Sequence, residues 1–68
     1  MTTDNNIGDN IKRYRNKLGL SQEGFAQKSG VKYTTLTKIE SGVIKTPSVV
    51  IVGKIAKALD VSIEELIK

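Results

Sequence analysis

The chain has 68 residues, of which 38% are hydrophobic, and a net charge of +4 at pH 7. That length allows one domain with a small core, and the absence of cysteine and histidine excludes disulfides and the usual zinc ligand sets. No apolar run approaches the length of a membrane span, and the polar N-terminus lacks the apolar core of a signal peptide. We therefore expect one domain, residues 1–68, in the cytoplasm, without a metal or cofactor.

The positive charge lies in the body of the chain. Residues 1–57 carry ten of the eleven basic residues and four of the seven acidic residues, a net charge of +6, whereas residues 58–68 have a net charge of −2. A basic body fits a polyanionic partner such as nucleic acid. The same balance is also common as ordinary solubility charge, so charge alone leaves both interpretations open.

The first two predicted elements are helices on either side of Gly19. The predicted apolar stripe over residues 6–18 consists of Ile7, Ile11, Tyr14 or Arg15, and Leu18, at spacings of three and four, which indicates an amphipathic helix. Gly19 would end it in a left-handed conformation, and residues 1–5 would form a flexible arm before it. The second helix is predicted over residues 21–29, with a serine as its N-cap and Gly24 as a weakening residue inside it.

The third segment, VKYTTLTKIESG at residues 31–42, is ambiguous on local grounds. Its threonines, tyrosine and branched aliphatic residues favour a strand. Leu36 and Ile39 also fit a helical stripe, however, and Gly42 lies where a helix would end. Because the other elements are predicted to be helices, a single strand would have no partner for its backbone groups. We therefore predict a third helix.

Two further helices complete the predicted fold. The fourth should begin near residues 47–48, where a proline precedes a serine, and the fifth should follow Ser62 after a break at Asp60. The fold class is therefore all-α, with five helices. The predicted apolar faces are Val49, Val52, Ile55, Ala56 and Leu59 in the fourth helix, and Ile63, Leu66 and Ile67 in the fifth.

The outward face of the third helix is a candidate binding surface. At about 100° per residue, Thr34, Thr37, Lys38 and Ser41 fall together on the side opposite Leu36. Such a face could simply be solvated. Threonine can, however, offer a hydroxyl to base edges and a methyl to the thymine methyl, and lysine can donate to guanine O6 and N7. The face is therefore suited to reading a DNA groove.

From Leu18 onward the chain resembles the helix-turn-helix domains of the lambda-repressor and Cro type, the XRE family of regulators. The stretches that carry the resemblance are LGLSQEGFAQKSGVKYTTLTKIESG and PSVVIVGKIAKALDVSIEELI, which match in one register without a gap. Ala26, Gly30 and Val31 lie at the packing, turn and core positions of that motif. The resemblance implies a five-helix lambda-repressor-like domain with the helix-turn-helix formed by helices 2 and 3.

The resemblance also implies roles for individual residues. Arg15 and Glu40 resemble a structural pair that ties the first helix to the end of the third. The DNA base-reading positions would be Tyr33, Thr34, Thr37 and Lys38. The phosphate-contacting positions would be Ser21, Gln22, Ser41 and Lys45.

Several positions depart from the family pattern. Lys32 stands where the family usually has a capping residue, so the third helix could start loosely or take its cap from Thr34. Tyr33 could read a base, stack on a sugar or reach only a phosphate. Val43 stands, with the isoleucine after it, where basic residues are frequent, which leaves open how many phosphates this loop neutralises.

The implied function is that of a sequence-specific, double-stranded DNA-binding transcriptional regulator. It would be a repressor that binds an inverted-repeat operator as a homodimer, with helix 3 in the major groove. An enzyme is not expected, because no nucleophile–base arrangement exists, and neither is a small-molecule ligand. The candidate dimer-interface residues are Val50, Ile51, Ile63, Leu66 and Ile67.

An alternative function is a protein-interaction module of the same fold, either an antitoxin or a transcriptional bridging factor. Its working surface would be the apolar residues Val43, Ile44, Val50 and Ile51.

Overall fold

The structure is a computed structural model that describes residues 7–67. No strand occurs within this range, so the all-α prediction is confirmed and the threonine-rich segment is a helix. The flexible arm predicted for residues 1–5 lies outside the described residues. The five helices are α1 (Ile7–Lys17), α2 (Gln22–Ser29), α3 (Tyr33–Ser41), α4 (Val49–Leu59) and α5 (Ile63–Ile67).

Serine side chains begin three of the helices. Ser21 accepts a hydrogen bond on its Oγ from the backbone N–H of Gly24 at 3.0 Å, and Ser48 accepts one from Ile51 at 3.2 Å. Ser62 does the same for α5. These bonds satisfy N–H groups that a helix leaves without a partner in its first turn. The serine predicted as the N-cap of the second helix therefore acts as a cap, and two further serines do the same.

Helix α3 begins differently. Lys32 occupies its N-cap position with φ −58° and ψ 140°, and its side chain makes no capping hydrogen bond. Thr34 does not replace it, because this residue already lies inside the first turn. Helix α3 therefore starts without a side-chain cap, and its first buried residue is Leu36.

The helices end in left-handed residues. Gly30 and Gly42, at φ 76° and 89°, follow α2 and α3, and their backbone N–H groups return to carbonyls of the preceding turn. A side chain at these φ values would be strained, which explains glycine there. Asp60 adopts the same conformation after α4 at φ 61°.

A single core joins the five helices. Helix α1 packs against α3, α4 and α5, and α2 packs against α3 and α4. Each large apolar side chain removed from water contributes roughly 1.5–3 kcal/mol, so a few such residues dominate the stability of a domain this small. The largest completely buried side chains are Phe25, Ile11, Leu36, Ile39, Ile55 and Leu66.

Three sequence-based assignments of buried and exposed residues are wrong. Leu18 is 51% exposed because α1 ends at Lys17 and the turn carries this leucine out of the apolar stripe. Val49 is 73% exposed because it is the first residue of α4, one turn before the core begins at Val52. Leu66, assigned to a dimer interface, is completely buried, since α5 packs on α1 and α4 through this side chain.

Two polar contacts fasten α5 to α1. The buried Asn10 donates from Nδ2 to the carbonyl oxygen of Leu66 at 2.8 Å. Tyr14 donates from its hydroxyl to Oε1 of Glu65 at 3.1 Å. The short helix α5 therefore has specific hydrogen bonds in addition to its one buried leucine.

Within residues 7–67, no helix is both long enough and apolar enough to cross a membrane.

Candidate nucleic-acid interface

The outward face of α3 has the composition predicted from the sequence. Tyr33 is 47% exposed, Thr34 and Lys38 are exposed, and Thr37 is half-buried. The opposite side of the same helix is buried through Leu36, Ile39 and Glu40. The four residues predicted to read bases therefore lie on the solvent side of one helix, and Ser41 extends that face at its end.

Two hydroxyl groups on this face have a defined orientation. Thr37 donates from Oγ1 to the carbonyl oxygen of Thr34 at 2.9 Å, and Ser41 donates from Oγ to the carbonyl of Lys38 at 3.2 Å. A hydroxyl that donates to its own helix keeps its lone pairs as acceptors for other groups. Thr37 therefore offers an acceptor oxygen and a methyl group to a partner.

The surroundings of α3 are positively charged. Lys32, Lys38 and Lys45 are exposed in and beside the helix. Between residues 32 and 46 the only acidic residue is Glu40, which is 4% exposed and paired with Arg15. A polyanion approaching α3 would therefore meet lysine side chains and no exposed carboxylate from this segment.

Arg15 and Glu40 form a buried, two-point ion pair between α1 and α3. Arg15 Nε lies 2.8 Å from Glu40 Oε2, and Nη2 lies 3.0 Å from Oε1. The remaining guanidinium nitrogen, Nη1, donates to the carbonyl oxygen of Leu20 at 2.7 Å. A two-point guanidinium–carboxylate pair fixes geometry as well as charge. This pair thus joins α1, the α1–α2 turn and the C-terminal end of α3.

Gln22, a predicted phosphate contact, is attached to the same pair. Its Nε2 donates to Glu40 Oε1 at 3.0 Å, which connects the start of α2 to the end of α3. The resemblance had suggested a role for Gln22 but not this contact. Nothing in the sequence indicates it, because the two residues are 18 positions apart and meet only through the packing of three helices.

The other predicted phosphate contacts lie near the ends of the helix-turn-helix. Ser21 is exposed at the start of α2, although its hydroxyl oxygen already accepts a bond from Gly24. Ser41 and Lys45 line one groove of about 620 Å³ between the start of α1 and the α3–α4 loop. The loop is held to α3 by a hydrogen bond from the Ile44 N–H to the Lys38 carbonyl at 3.0 Å.

The remaining candidate interface residues fall into two groups. Val43 and Val50 are 71% and 63% exposed, and Ile63 and Ile67 are 38% and 43% exposed. Ile44 and Ile51 are half-buried and pack against the core. Four of these apolar side chains are therefore accessible to a partner.

Among residues 7–67 there is no group of three or more acidic residues placed to hold a metal ion.

The arrangement defines a class of domain: a five-helix bundle in which α2 and α3 form a helix-turn-helix with a polar, basic outer face. The comparisons place the chain within that class. A family model described as helix-turn-helix matches residues 11–66, and the chain belongs to this family, in its lambda-repressor and Cro branch. The regulators of this family are not enzymes, in agreement with the sequence analysis.

The chain is similar to two regulators of Bacillus subtilis. It is 38% identical over 61 residues to the HTH-type transcriptional regulator SinR, which covers 90% of this chain and 55% of SinR. It is 42% identical over 60 residues to the HTH-type transcriptional regulator SlrR, covering 88% of this chain and 40% of SlrR. The chain thus spans about half the length of these relatives, or less.

Solved structures agree with these similarities. The crystal structure of SinR, the master regulator for biofilm formation, in complex with DNA has a TM-score of 0.88 at 37% identity and covers 91% of this chain and 98% of that chain. The restriction-modification controller protein C.AhdI from Aeromonas hydrophila has a TM-score of 0.83 at 34% identity, covering 90% and 91% respectively.

Proposed function

We propose that this chain is a single DNA-binding domain that acts in the cytoplasm as a sequence-specific transcriptional regulator. The observation that carries the proposal is the outer face of α3, where short polar side chains and Lys38 are exposed over a buried apolar side. The similarity to SinR supports it, because SinR was crystallised in complex with DNA. In this arrangement α3 enters the major groove of a double-stranded operator.

Two sets of side chains divide the work of recognition. Contacts to phosphates fix the position of a protein on the duplex, whereas contacts to base edges select the sequence. The proposed phosphate contacts, at the ends of the helices, are Ser21, Gln22, Ser41 and Lys45. The proposed base contacts, on α3, are Tyr33, Thr34, Thr37 and Lys38.

The regulator is proposed to act as a homodimer and as a repressor. Two copies related by a two-fold axis would place their α3 helices about 34 Å apart, one turn of the DNA, and would require an inverted repeat. The apolar side chains available for the contact are Val50, Ile63 and Ile67, with Ile51 at its edge. Leu66 is excluded from it by its burial.

Selection of bound DNA from a random duplex pool tests the proposal. We expect the recovered sequences to share an inverted repeat with half-sites separated by one helical turn. Recovery of a single, non-repeated half-site would contradict the dimer, and recovery of no common sequence would contradict sequence-specific binding.

A second candidate function, a protein-interaction module of the same fold, is favoured by one feature. Val43 and Val50 are among the most exposed apolar side chains of the described range, and SinR has also been solved in complex with the SinI protein. A salt titration separates the two functions. DNA binding through several phosphates loses affinity steeply as salt rises, whereas docking of a protein on an apolar patch does not.

A further inference from the structure

The side-chain amide of Gln22 has only one possible orientation toward Glu40. A carboxylate that is paired with a guanidinium can only accept hydrogen bonds, so the nitrogen of the amide, not its oxygen, must face it. One N–H of the Gln22 amide therefore donates to Glu40 Oε1, with Nε2 at 3.0 Å from that oxygen. The second N–H and the amide oxygen remain directed away from the carboxylate, at the half-buried start of α2.

We propose that Glu40 is a positioning residue for DNA-backbone binding: it holds the Gln22 amide so that the second N–H faces a phosphate at the N-terminus of α2. This inference rests on the proposed role of Gln22 as a phosphate contact and specifies how that contact is built. Glu40 itself does not touch the DNA, since it is 4% exposed.

Preorganisation is the physical gain. A free glutamine side chain has several rotamers, and fixing one of them on binding costs conformational entropy. Here the side chain is fixed before DNA arrives. The dipole of α2 adds to the effect, because the positive N-terminal end of a helix favours an anion at the same place.

Arg15 allows the Glu40 carboxylate to lie beside a phosphate-binding side chain. An unpaired Glu40 would repel a nearby phosphate, but Arg15 neutralises it through both oxygens. The same guanidinium holds the Leu20 carbonyl at 2.7 Å, two residues before Gln22. One buried pair therefore fixes both the backbone that leads into α2 and the side chain at its first position.

The Gln22–Glu40 bond also fixes the spacing between the proposed phosphate contact and the proposed base contacts. Glu40 lies two residues after Lys38 on α3, so the Gln22–Glu40 bond connects the proposed phosphate contact directly to the helix proposed to read bases. A phosphate held by Gln22 would then be at a fixed distance from the bases that face Lys38.

A double-mutant cycle on DNA affinity tests the proposal. The variants are Gln22→Ala, Glu40→Asp and the two combined, each measured on random-sequence duplex under conditions where circular dichroism shows it to be folded. Aspartate keeps the negative charge for Arg15 but withdraws the oxygen from Gln22. We expect Gln22→Ala to weaken binding roughly tenfold in the wild-type background, and by less than about twofold beside Glu40→Asp.

Lys45→Ala is the matched control in the same two backgrounds. Among the described residues, Lys45 forms no hydrogen bond or ion pair with Glu40, and it is a proposed phosphate contact of its own. Its loss should therefore weaken binding equally with Glu40 or Asp at position 40. If Glu40 only stabilised the fold, Glu40→Asp would change the effects of Gln22→Ala and Lys45→Ala on DNA affinity by the same factor. Equal effects of Gln22→Ala in both backgrounds would overturn the inference and leave the proposed function standing.

Nitrogen-15 relaxation of the side-chain amides gives a readout that needs no variant. The Gln22 amide should be motionally restricted in the free protein, whereas that of Gln27, exposed on the same helix, should be mobile. Equal mobility of the two amides would overturn the inference even if Glu40→Asp failed to fold. Absence of any DNA binding by the wild-type chain would instead overturn the proposed function itself.

Discussion

Gly8 in α1 packs directly against the backbone of Ile39 in α3, at a separation that leaves no room for a side chain. A β-carbon at Gly8 would collide with the Ile39 carbonyl oxygen and would lie 3.0 Å from the carbonyl oxygen of Glu40. The close approach brings the start of α1 onto the end of α3, where Ser41 and the loop to α4 begin. Glycine is required here for space rather than for an unusual φ angle.

Replacement of Gly8 by alanine should therefore destabilise the domain. We expect Gly8→Ala to lower the free energy of unfolding by about 1–3 kcal/mol, because α1 must move away from rigid backbone atoms. Gly53→Ala is the matched control: a β-carbon there, within α4, has no atom within 4 Å. It should raise stability by up to about 1 kcal/mol through helix propensity. Urea denaturation measures both, and equal stabilities would contradict the close contact.

The uncapped start of α3 leads to a second prediction. Lys32 already has a backbone conformation close to that of an N-cap, but no side-chain oxygen to accept a helix N–H. Lys32→Ser should therefore stabilise the domain by about 1 kcal/mol. Ser48→Ala, which removes an existing cap at α4, should destabilise it by a similar amount.

Lys32→Ser should lower the affinity for DNA, although it raises the stability of the domain. Lys32 is exposed beside the proposed binding face, so its loss removes a positive charge that a phosphate backbone attracts. Thermal unfolding and DNA titration on the one variant measure the two effects. A Lys32→Ser protein that is less stable than the wild type would show that the lysine stabilises the start of α3 by another route.

The helices and their ends could be predicted from the sequence because their signals are local. Ser21, Ser48 and the glycines after α1, α2 and α3 form caps with their immediate neighbours. For α3, local propensity favoured a strand, and the helix was predicted only because a strand would have had no partner. The structure agrees with that argument. Burial of Leu36 and Ile39 stabilises the helix, although the local propensity of the segment favours a strand.

The contacts between distant residues could be predicted only in part. The Arg15–Glu40 pair was expected from family resemblance, but the attachment of Gln22 to it depends on how three helices meet. The burial of Leu66 was missed for a similar reason. Its periodicity marks α5 as amphipathic without saying whether the apolar side faces the same chain or a second copy.

A comparison of two lysines tests the division between base and phosphate contacts. Lys38 lies on the outer face of α3, and Lys45 lies in the loop after it. Lys38→Ala should relax the preference for one base pair, at a cost of about 1–3 kcal/mol on the selected operator. Lys45→Ala should weaken operator and random DNA alike and reduce the salt dependence by about one counterion. Equal losses on operator and random DNA for both variants would contradict the proposed roles.

The last prediction concerns the dimer and uses the neighbouring residues Leu66 and Ile67. Leu66 is completely buried, so Leu66→Ala should lower the free energy of unfolding by about 2–5 kcal/mol, as other large-to-small core substitutions do. Ile67 is 43% exposed, and Ile67→Lys should change the stability of the protomer by no more than about 0.5 kcal/mol.

If Ile67 belongs to the homodimer interface, Ile67→Lys should convert the dimer to a monomer, because it places two like charges at a two-fold contact. Light scattering on the free protein and on its DNA complex measures the change, and Val43→Lys, on an exposed valine outside the proposed interface, is the control for added charge. The monomer should also bind a full inverted repeat more weakly, since it loses the second half-site from the same complex. A wild-type chain that is monomeric both free and on DNA would contradict the dimer altogether. Dimers that persist in Ile67→Lys would exclude Ile67 from the interface and leave Val50, Ile51 and Ile63 as its candidate residues.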